Sequence, residues 1–431
     1  MIQPVPKRRV PREPSQASTL STGTLFLPCS AGTEPWLVDE VRGLLEPGTV
    51  IEAGRGGVYV EAGLSAAMKL NLGSRLAQRV LWQVAEGPYG HENDLYDLAH
   101  QVRWTDWITP RQTLRVDASA YRSPLQSLNF AALRIKDAVC DRMRDATGER
   151  PSVDTRFPDL ALVLHAGPAH ASLSVDLSGE ALFKRGWREV QGEAPLKETL
   201  AASMIAAAGW TGRAEGGGLL DPCCGAGTIA IEAAQIACGI APGLQRRFAF
   251  EKLLPFRDQL GLLQMLREKA RADVHAPEVP IWAGDVSFRM TDFATRNAER
   301  AGVLHAIEFK TADALQRPAP AERGTMLLNP PYGERIAPKG QGSAPRDAGR
   351  ETGRLSEASK FEGAADAGEF YSRLASHWKK AYAGWTAHVL TPEAKLPTLM
   401  RLKESRRVPM WNGPIECRMF RFDLVSGSMR R

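Results

Sequence analysis

The chain has 431 residues, 43% of them hydrophobic and 24% charged. These are ordinary globular values that exclude a mainly disordered or fibrous protein, and the length predicts two to three domains. The net charge of +6 sits at the ends: residues 1–20 sum to +3, residues 401–431 to +5, and residues 21–400 to about −2. Basic ends steer toward phosphates, but they do not establish a nucleic-acid partner by themselves. No run approaches the roughly 18 apolar residues of a membrane span. Residues 1–23 read as a solvated basic tail, with Lys7, Arg8, Arg9 and Arg12 among prolines and no apolar core, so no secretory signal is expected.

Foldable pattern starts at Leu25. Leu25–Leu27 reads as a strand, Trp36–Leu45 as an amphipathic helix, and Gly57–Val60 as a second strand. Helices are predicted over Ser65–Leu72 and Glu92–Val102. A strand around Leu114–Val116 precedes a helix opening at Asn129, a good N-cap residue, and running through Arg144 to Gly148. Leu160–Leu164 and Ala171–Leu177 flank the turn His165-Ala166-Gly167-Pro168 and predict a β-hairpin. The region up to residue 190 is therefore expected to be α+β.

After residue 190, strands and helices alternate, which predicts a parallel sheet covered on both faces. Gly218-Leu219-Leu220 leads through a glycine turn into a helix over Thr228–Cys238. Ile281-Trp282-Ala283 precedes a helix over Phe288–Ala301, stopped by Gly302. Ala306–Phe309, Met326–Leu328 and Ala387–Leu390 read as further buried strands, with a helix over Phe370–Tyr382. Asn412-Gly413 between Ser405–Trp411 and Ile415–Leu424 is a strong hairpin signal. Residues 339–366 are too polar to pack and predict a flexible insertion.

Of the six cysteines (Cys29, Cys140, Cys223, Cys224, Cys238, Cys417) only the adjacent pair is close in sequence. No disulfide framework or metal-ligand spacing is visible, so no metal is expected and a reducing cytoplasm fits best.

Two motifs carry chemistry. In Asp221-Pro222-Cys223-Cys224-Gly225-Ala226-Gly227-Thr228 a strand enters a turn whose glycines let the backbone approach a ligand, and a helix N-terminus follows. The alternative is a generic strand–helix turn. The third glycine of a dinucleotide fingerprint is absent, and Asp221 suits a positively charged ligand better than a pyrophosphate. In Asn329-Pro330-Pro331-Tyr332 two prolines stiffen a loop that offers carbonyl acceptors, one amide side chain and one aromatic ring. Such a loop suits a planar group bearing an NH₂, with Tyr332 stacked on its face; the alternative is a strand-ending turn with a packed tyrosine. Both motifs would lie at the carboxyl ends of strands, where doubly wound sheets bind ligands.

These motifs, with Asn329-Pro330-Pro331-Tyr332-Gly333-Glu334-Arg335, resemble class I S-adenosylmethionine-dependent methyltransferases that modify exocyclic amines. The chain is most similar to the THUMP-domain 23S rRNA (guanine-N2)-methyltransferases of the RlmL type. The resemblance also covers Leu182–Arg188, Ala194–Leu200, Ile240–Gly243 and Asn412–Cys417, about residues 24–425 in all. It implies a ferredoxin-like region (24–88), a THUMP RNA-binding domain (89–190) and a Rossmann-like methyltransferase domain with a C-terminal antiparallel hairpin (191–425). Some members of the family continue into a second methyltransferase domain, whereas this sequence stops after the first. The resemblance implies S-adenosylmethionine as cofactor and RNA as partner. Asp221, Gly225 and Gly227 would hold the amino-acid end of the cofactor, with Thr199 touching its methionine moiety. Asp285 would bind the ribose, Val286 would lie against adenine, and Asp313-Ala314 would meet the adenine amine. Ser287 stands where the pattern often has a second acid. Asn329, Pro330, Pro331 and Tyr332 would carry catalysis, and Lys184, Arg185 and Arg188 are the expected phosphate contacts. The same chemistry on tRNA, N6-adenine methylation of DNA and a non-catalytic assembly role remain open alternatives.

Overall fold

The computed structural model describes residues 22–189, 196–330 and 359–425, with side chains omitted for 359–367. The expected tail lies outside these residues except at its end, where Gly23 already belongs to the first strand. Most of the expected insertion (339–358) also lies outside them. Its remainder is helical rather than irregular, because the helix predicted from Phe370 starts at Ser359.

The N-terminal half alternates strands and helices in the order β1 (Gly23–Pro28), α1 (Glu34–Leu44), β2 (Val50–Gly54), β3 (Gly57–Ala62), α2 (Leu64–Gly73) and β4 (Leu81–Pro88). It continues with α3 (Glu92–His100), β5 (Thr113–Ala120), α4 (Leu128–Thr147), β6 (Ser152–Val153), β7 (Leu160–Ala166) and β8 (His170–Asp176). The ferredoxin-like and THUMP regions, read separately in the sequence, share one sheet of order β2-β3-β1-β4-β8-β7-β5-β6. β4 joins them, pairing antiparallel with β1 on one side and β8 on the other. Ser127, not Asn129, caps α4: its Oγ accepts the Phe130 N–H at 3.2 Å.

The second half contains α5 (Glu198–Ala208), β9 (Gly218–Asp221), α6 (Thr228–Ala237), α7 (Leu260–Ala272), β10 (Ile281–Asp285) and α8 (Phe288–Arg300). Then come β11 (Ile307–Thr311), β12 (Gly324–Leu328), α9 (Ser359–Ala381), β13 (Trp385–Thr391), α10 (Leu396–Met400), β14 (Arg406–Asn412) and β15 (Ile415–Asp423). The sheet runs β11-β10-β9-β12-β13-β15-β14, parallel through β13 and closed by the expected antiparallel hairpin. Both faces are covered, and the alternation of a strand explains how. Leu219, Ile281 and Leu327 join the core under α5, α6 and α8, whereas Leu220, Trp282 and Leu328 join the core under α9.

The two halves interlock. Phe248, Phe250, Leu253 and Phe256, beyond the expected boundary at 190, pack into the core of the N-terminal module. Leu254 N–H donates to Trp107 O at 3.0 Å and Phe250 N–H to Leu177 O at 3.1 Å. Gly243 N–H donates to Leu72 O at 2.9 Å, and a Cβ there would fall 2.8 Å from Asn71 O. No helix among the described residues is long and apolar enough to cross a membrane.

Candidate functional site

The carboxyl ends of β9, β10 and β12 meet at the centre of the parallel sheet, and each delivers one of the expected polar residues. Asp221 ends β9 at 1% exposure, and among the described residues its carboxylate accepts one hydrogen bond, from Cys223 N–H at 3.3 Å. Burial, reinforced by the nearby Asp285 carboxylate, pushes its carboxyl up to about 8, although Arg317 acts in the opposite sense. A buried carboxyl with so few partners suits a cationic group.

The turn after Asp221 is braced from the next strand. Cys224 N–H donates to Gly284 O at 2.7 Å, and Gly225 N–H donates to Asp285 Oδ2 at 3.1 Å. The other oxygen of Asp285 accepts the Ser287 N–H at 2.9 Å. Burial raises the Asp285 carboxyl pKa as well. Gly227 has φ +87, and a Cβ there would sit 3.0 Å from Ala294 Cβ, so only glycine lets α6 pack this tightly on α8. No side chain caps the N-terminus of α6. Cys223 and Cys224 line the turn with thiols that burial holds well above the ordinary range, which makes them inert packing groups.

After Asp285, Val286 is 71% exposed and Phe288 76% exposed. Two bare apolar side chains beside a half-buried acid suit the face of a planar ligand, and Phe288 was not among the residues the sequence singled out. Asp313 Oδ1 accepts the Leu315 N–H at 2.9 Å, and Ala314 is buried beneath it. Arg317 was also missed: it is 5% exposed, donates to Ala283 O at 3.0 Å and fills the space a side chain at Gly284 would need. Only the fold brings it under Asp221.

Asn329 follows β12. Its Oδ1 is buried and, among the described residues, has no hydrogen-bond partner; the same holds for Thr199 Oγ1 at the start of α5. Unpaired buried oxygens are costly and mark places where a ligand donor completes the structure. Pro331 and Tyr332 lie outside the described residues; Pro330 is buried beside Asn329.

The three basic residues expected to face phosphate separate on inspection. Lys184 is exposed and pairs with Glu180 at 2.8 Å. Arg185 is 2% exposed, and its guanidinium binds Glu232 on α6, with Nε to Oε1 at 3.0 Å. Arg188 binds Glu198 at 2.7 Å, Thr228 Oγ1 at 2.7 Å and Leu196 O at 3.2 Å. Arg185 and Arg188 are therefore internal clamps on α5 and α6 rather than an RNA-facing edge, because each is engaged by a buried carboxylate invisible to a local charge count. His388 is buried in β13, and burial pushes its imidazole pKa down to about 4.

Three family profiles match consecutive parts of the chain: the RlmL ferredoxin-like domain over residues 24–81, the THUMP domain over 89–176 and the RMKL-like methyltransferase domain over 185–344. The ribosomal RNA large subunit methyltransferase K/L of Shewanella pealeana is 35% identical over 378 residues, covering 87% of this chain and 49% of the relative. The chain thus spans about half the length of the curated relatives it matches. Among solved structures, a possible methylase from Clostridium difficile 630 superposes with a TM-score of 0.78 at 26% identity, covering 95% of this chain and all of the other. SMU.472, assigned as a methyltransferase and solved in complex with SAH, gives the same TM-score at 24% identity, covering 95% of this chain and 100% of that one. The chain therefore carries, in series, an RlmL ferredoxin-like domain, a THUMP domain and an RMKL-like methyltransferase domain.

Proposed function

We propose that this chain methylates the exocyclic N2 amine of a guanine in RNA, with large-subunit rRNA as the favoured substrate and S-adenosylmethionine as cofactor. The observation that carries the reading is the buried Asn329 Oδ1, without a partner among the described residues, at the carboxyl end of β12, one strand from the Asp221 turn. S-adenosylmethionine, when bound, supplies a methyl group on an electrophilic sulfonium. Asp221, Gly225, Gly227 and Thr199 would hold its amino-acid end, Asp285 its ribose, and Val286, Asp313 and Ala314 its adenine. The buried carboxyl of Asp221 and the Thr199 hydroxyl, which has no partner among the described residues, fit that group.

A guanine N2 lone pair is delocalised into its ring and is a poor nucleophile. Asn329 Oδ1 and the Pro330 carbonyl would accept the two amine hydrogens and favour a pyramidal nitrogen, so positioning and electrostatics do the catalysis. Reaching a base within folded RNA requires extruding it, and stacking on Tyr332 would offset part of that cost. The THUMP domain and the relatives named as rRNA methyltransferases favour RNA over DNA. Incubation with labelled S-adenosylmethionine and separated rRNA, tRNA and DNA tests the reading. Label in rRNA is expected, label only in tRNA moves the substrate, and label only in DNA overturns the proposal.

Two further outcomes concern the cofactor. Asp285→Ala removes both the proposed ribose contact and the brace on Gly225, so calorimetry should show S-adenosylhomocysteine binding weakened by at least about ten-fold. RNA affinity should be nearly unchanged. Equal cofactor affinity would remove Asp285 from the site.

The second outcome is a pH dependence. An ordinary aspartate ionises near 3.8, whereas Asp221 keeps its proton to about 8. Its contribution to folding is full below about pH 4 and falls as pH rises through about 8. A bound sulfonium or ammonium favours the carboxylate, so affinity for S-adenosylmethionine should rise with pH up to that value. Calorimetry at neutral pH in buffers of different ionisation enthalpy should show a proton released on binding. No proton release, or one that persists in Asp221→Asn, would contradict this role.

A further inference from the structure

One corner of the N-terminal module has no part in the site described above. Arg55 lies in the tight β2–β3 turn, and Tyr121 and Arg122 follow β5. The Arg55 guanidinium stands 4.1 Å from the Tyr121 ring centroid and that of Arg122 5.3 Å from it. Tyr121 is 39% exposed. Among the described residues neither guanidinium has an ion-pair or hydrogen-bond partner. Exposed arginines elsewhere commonly do: Arg42 pairs with Asp39, Arg213 with Glu278 and Arg296 with Asp292. Glu34, the carboxylate that touches the same turn, accepts the Gly56 N–H at 3.0 Å instead.

The manner of holding matters. A carboxylate fixes an arginine and cancels its charge, whereas an aromatic ring fixes it through its quadrupole and leaves the charge intact. Each guanidinium here keeps a planar fork of N–H donors, the geometry that meets two phosphate oxygens at once. The backbone adds an independent sign. Arg122 has φ +51, a left-handed conformation that a side chain adopts rarely and at a cost. That segment is pinned, since Tyr121 N–H donates to Ala166 O at 2.9 Å and Tyr89 Oη to Ser123 Oγ at 2.7 Å.

The corner also faces the right way. Cys29 N–H donates to Gly56 O at 2.9 Å, which ties the Arg55 turn to the segment containing Gly32. Gly32 lies against β14 so closely that a Cβ would fall 2.2 Å from Pro409 O. Pro409 pairs with Arg418, which pairs with Thr391 at the carboxyl end of β13. The corner therefore adjoins the end of the methyltransferase sheet that carries Asp221 and Asn329.

We propose that Arg55, Tyr121 and Arg122 form a clamp for backbone phosphates of the RNA substrate, built jointly by the ferredoxin-like and THUMP domains. The inference rests on RNA being that substrate. It is tested by fluorescence anisotropy of the whole chain with a labelled RNA hairpin across a salt series. The double variant Arg55→Ala/Arg122→Gly should bind on the order of ten-fold more weakly, with the slope of log affinity against log salt reduced by about one per arginine. Tyr121→Ala removes no charge yet should weaken binding, while Tyr121→Phe keeps the ring and the affinity. Arg122→Gly alone should raise the melting temperature while lowering RNA affinity, because glycine relieves the left-handed backbone.

Calorimetry with S-adenosylhomocysteine should be unchanged in every variant. An unchanged salt slope in the double variant overturns the clamp. Displacement of RNA by inorganic phosphate alone, beyond the effect of matched salt, overturns the assignment to RNA backbone. Clamp-dependent RNA binding without methyl transfer to any RNA would instead leave the clamp standing and overturn the proposed function.

Discussion

Replacing Asn329 by alanine should lower single-turnover methyl transfer by on the order of 10²–10³ while RNA and cofactor affinities stay close to those of the unaltered chain. The proposed bond from the reacting amine to Oδ1 strengthens as the nitrogen loses planarity, so its loss falls on the transition state rather than on the ground state. The structure adds a second reason. With Oδ1 buried and unpaired among the described residues, the free protein would already carry the cost of desolvating it, and the substrate would collect the bond. Asn329→Ala should therefore leave thermal stability unchanged or slightly raised, a sign opposite to that of an ordinary buried amide. Tyr332→Ala should behave differently, weakening RNA binding and rate together, because stacking would hold the extruded base before transfer. Near-full activity of Asn329→Ala in a single-turnover assay would refute this account of the loop.

The largest stability effect is expected at Glu232. Its carboxylate is fully buried on α6 and accepts from Arg185 Nε at 3.0 Å and Nη2 at 3.3 Å, with Arg75 Nη1 at 3.6 Å. Arg75 comes from the N-terminal module, and its backbone carbonyl accepts from Arg185 Nη2 at 2.7 Å. Its side chain also reaches Ile240 O in the methyltransferase half. Glu232→Ala would leave two guanidiniums without their shared counter-charge at the junction between the halves, which costs about 3–5 kcal/mol. Differential scanning calorimetry should show the main transition lowered by several degrees, with Glu232→Gln intermediate because it keeps an acceptor. An effect below about 1 kcal/mol would show that water takes over the pairing. The helix at stake begins at the proposed cofactor turn, and Arg188 grips Thr228 one turn before Glu232. Loosening this junction should therefore also weaken cofactor binding.

How far the sequence carried the fold depended on how local each signal was. The buried strands β9, β10, β12 and β13 are short apolar runs and were read directly, as was the Asn412-Gly413 hairpin. β4 escaped notice although it holds the N-terminal sheet together, because a bulge between Gln83 and Ala85 breaks its alternation. β2 is an edge strand with little buried surface, so it offers no apolar pattern. α5 is buried on nearly every side, which erases the one-sided stripe that announces a helix.

In the candidate site, Asp221, Asp285 and Asn329 are legible as strand-end polar residues because each closes or follows a readable strand. Arg185 and Arg188 were assigned to the wrong partner because Glu232 and Glu198 are distant in sequence or masked by a neutral-looking helix. Arg317 and Phe288 carry no motif at all. Their places are set by the packing of Gly284 and by exposure, neither of which a linear pattern contains.

The continuous eight-stranded sheet bears on how this protein can be taken apart. Severing the chain after residue 88 would strip β4 of its β8 partner and leave β8 without β4, so each fragment would present a long unpaired strand. Such fragments should cross-pair with one another, and mixing them should regenerate the complete module, whereas either one alone should form multimers or aggregates. The boundary between two recognised families therefore falls inside one cooperative folding unit. Its assembly must wait until β8, close to the end of the module, has left the ribosome.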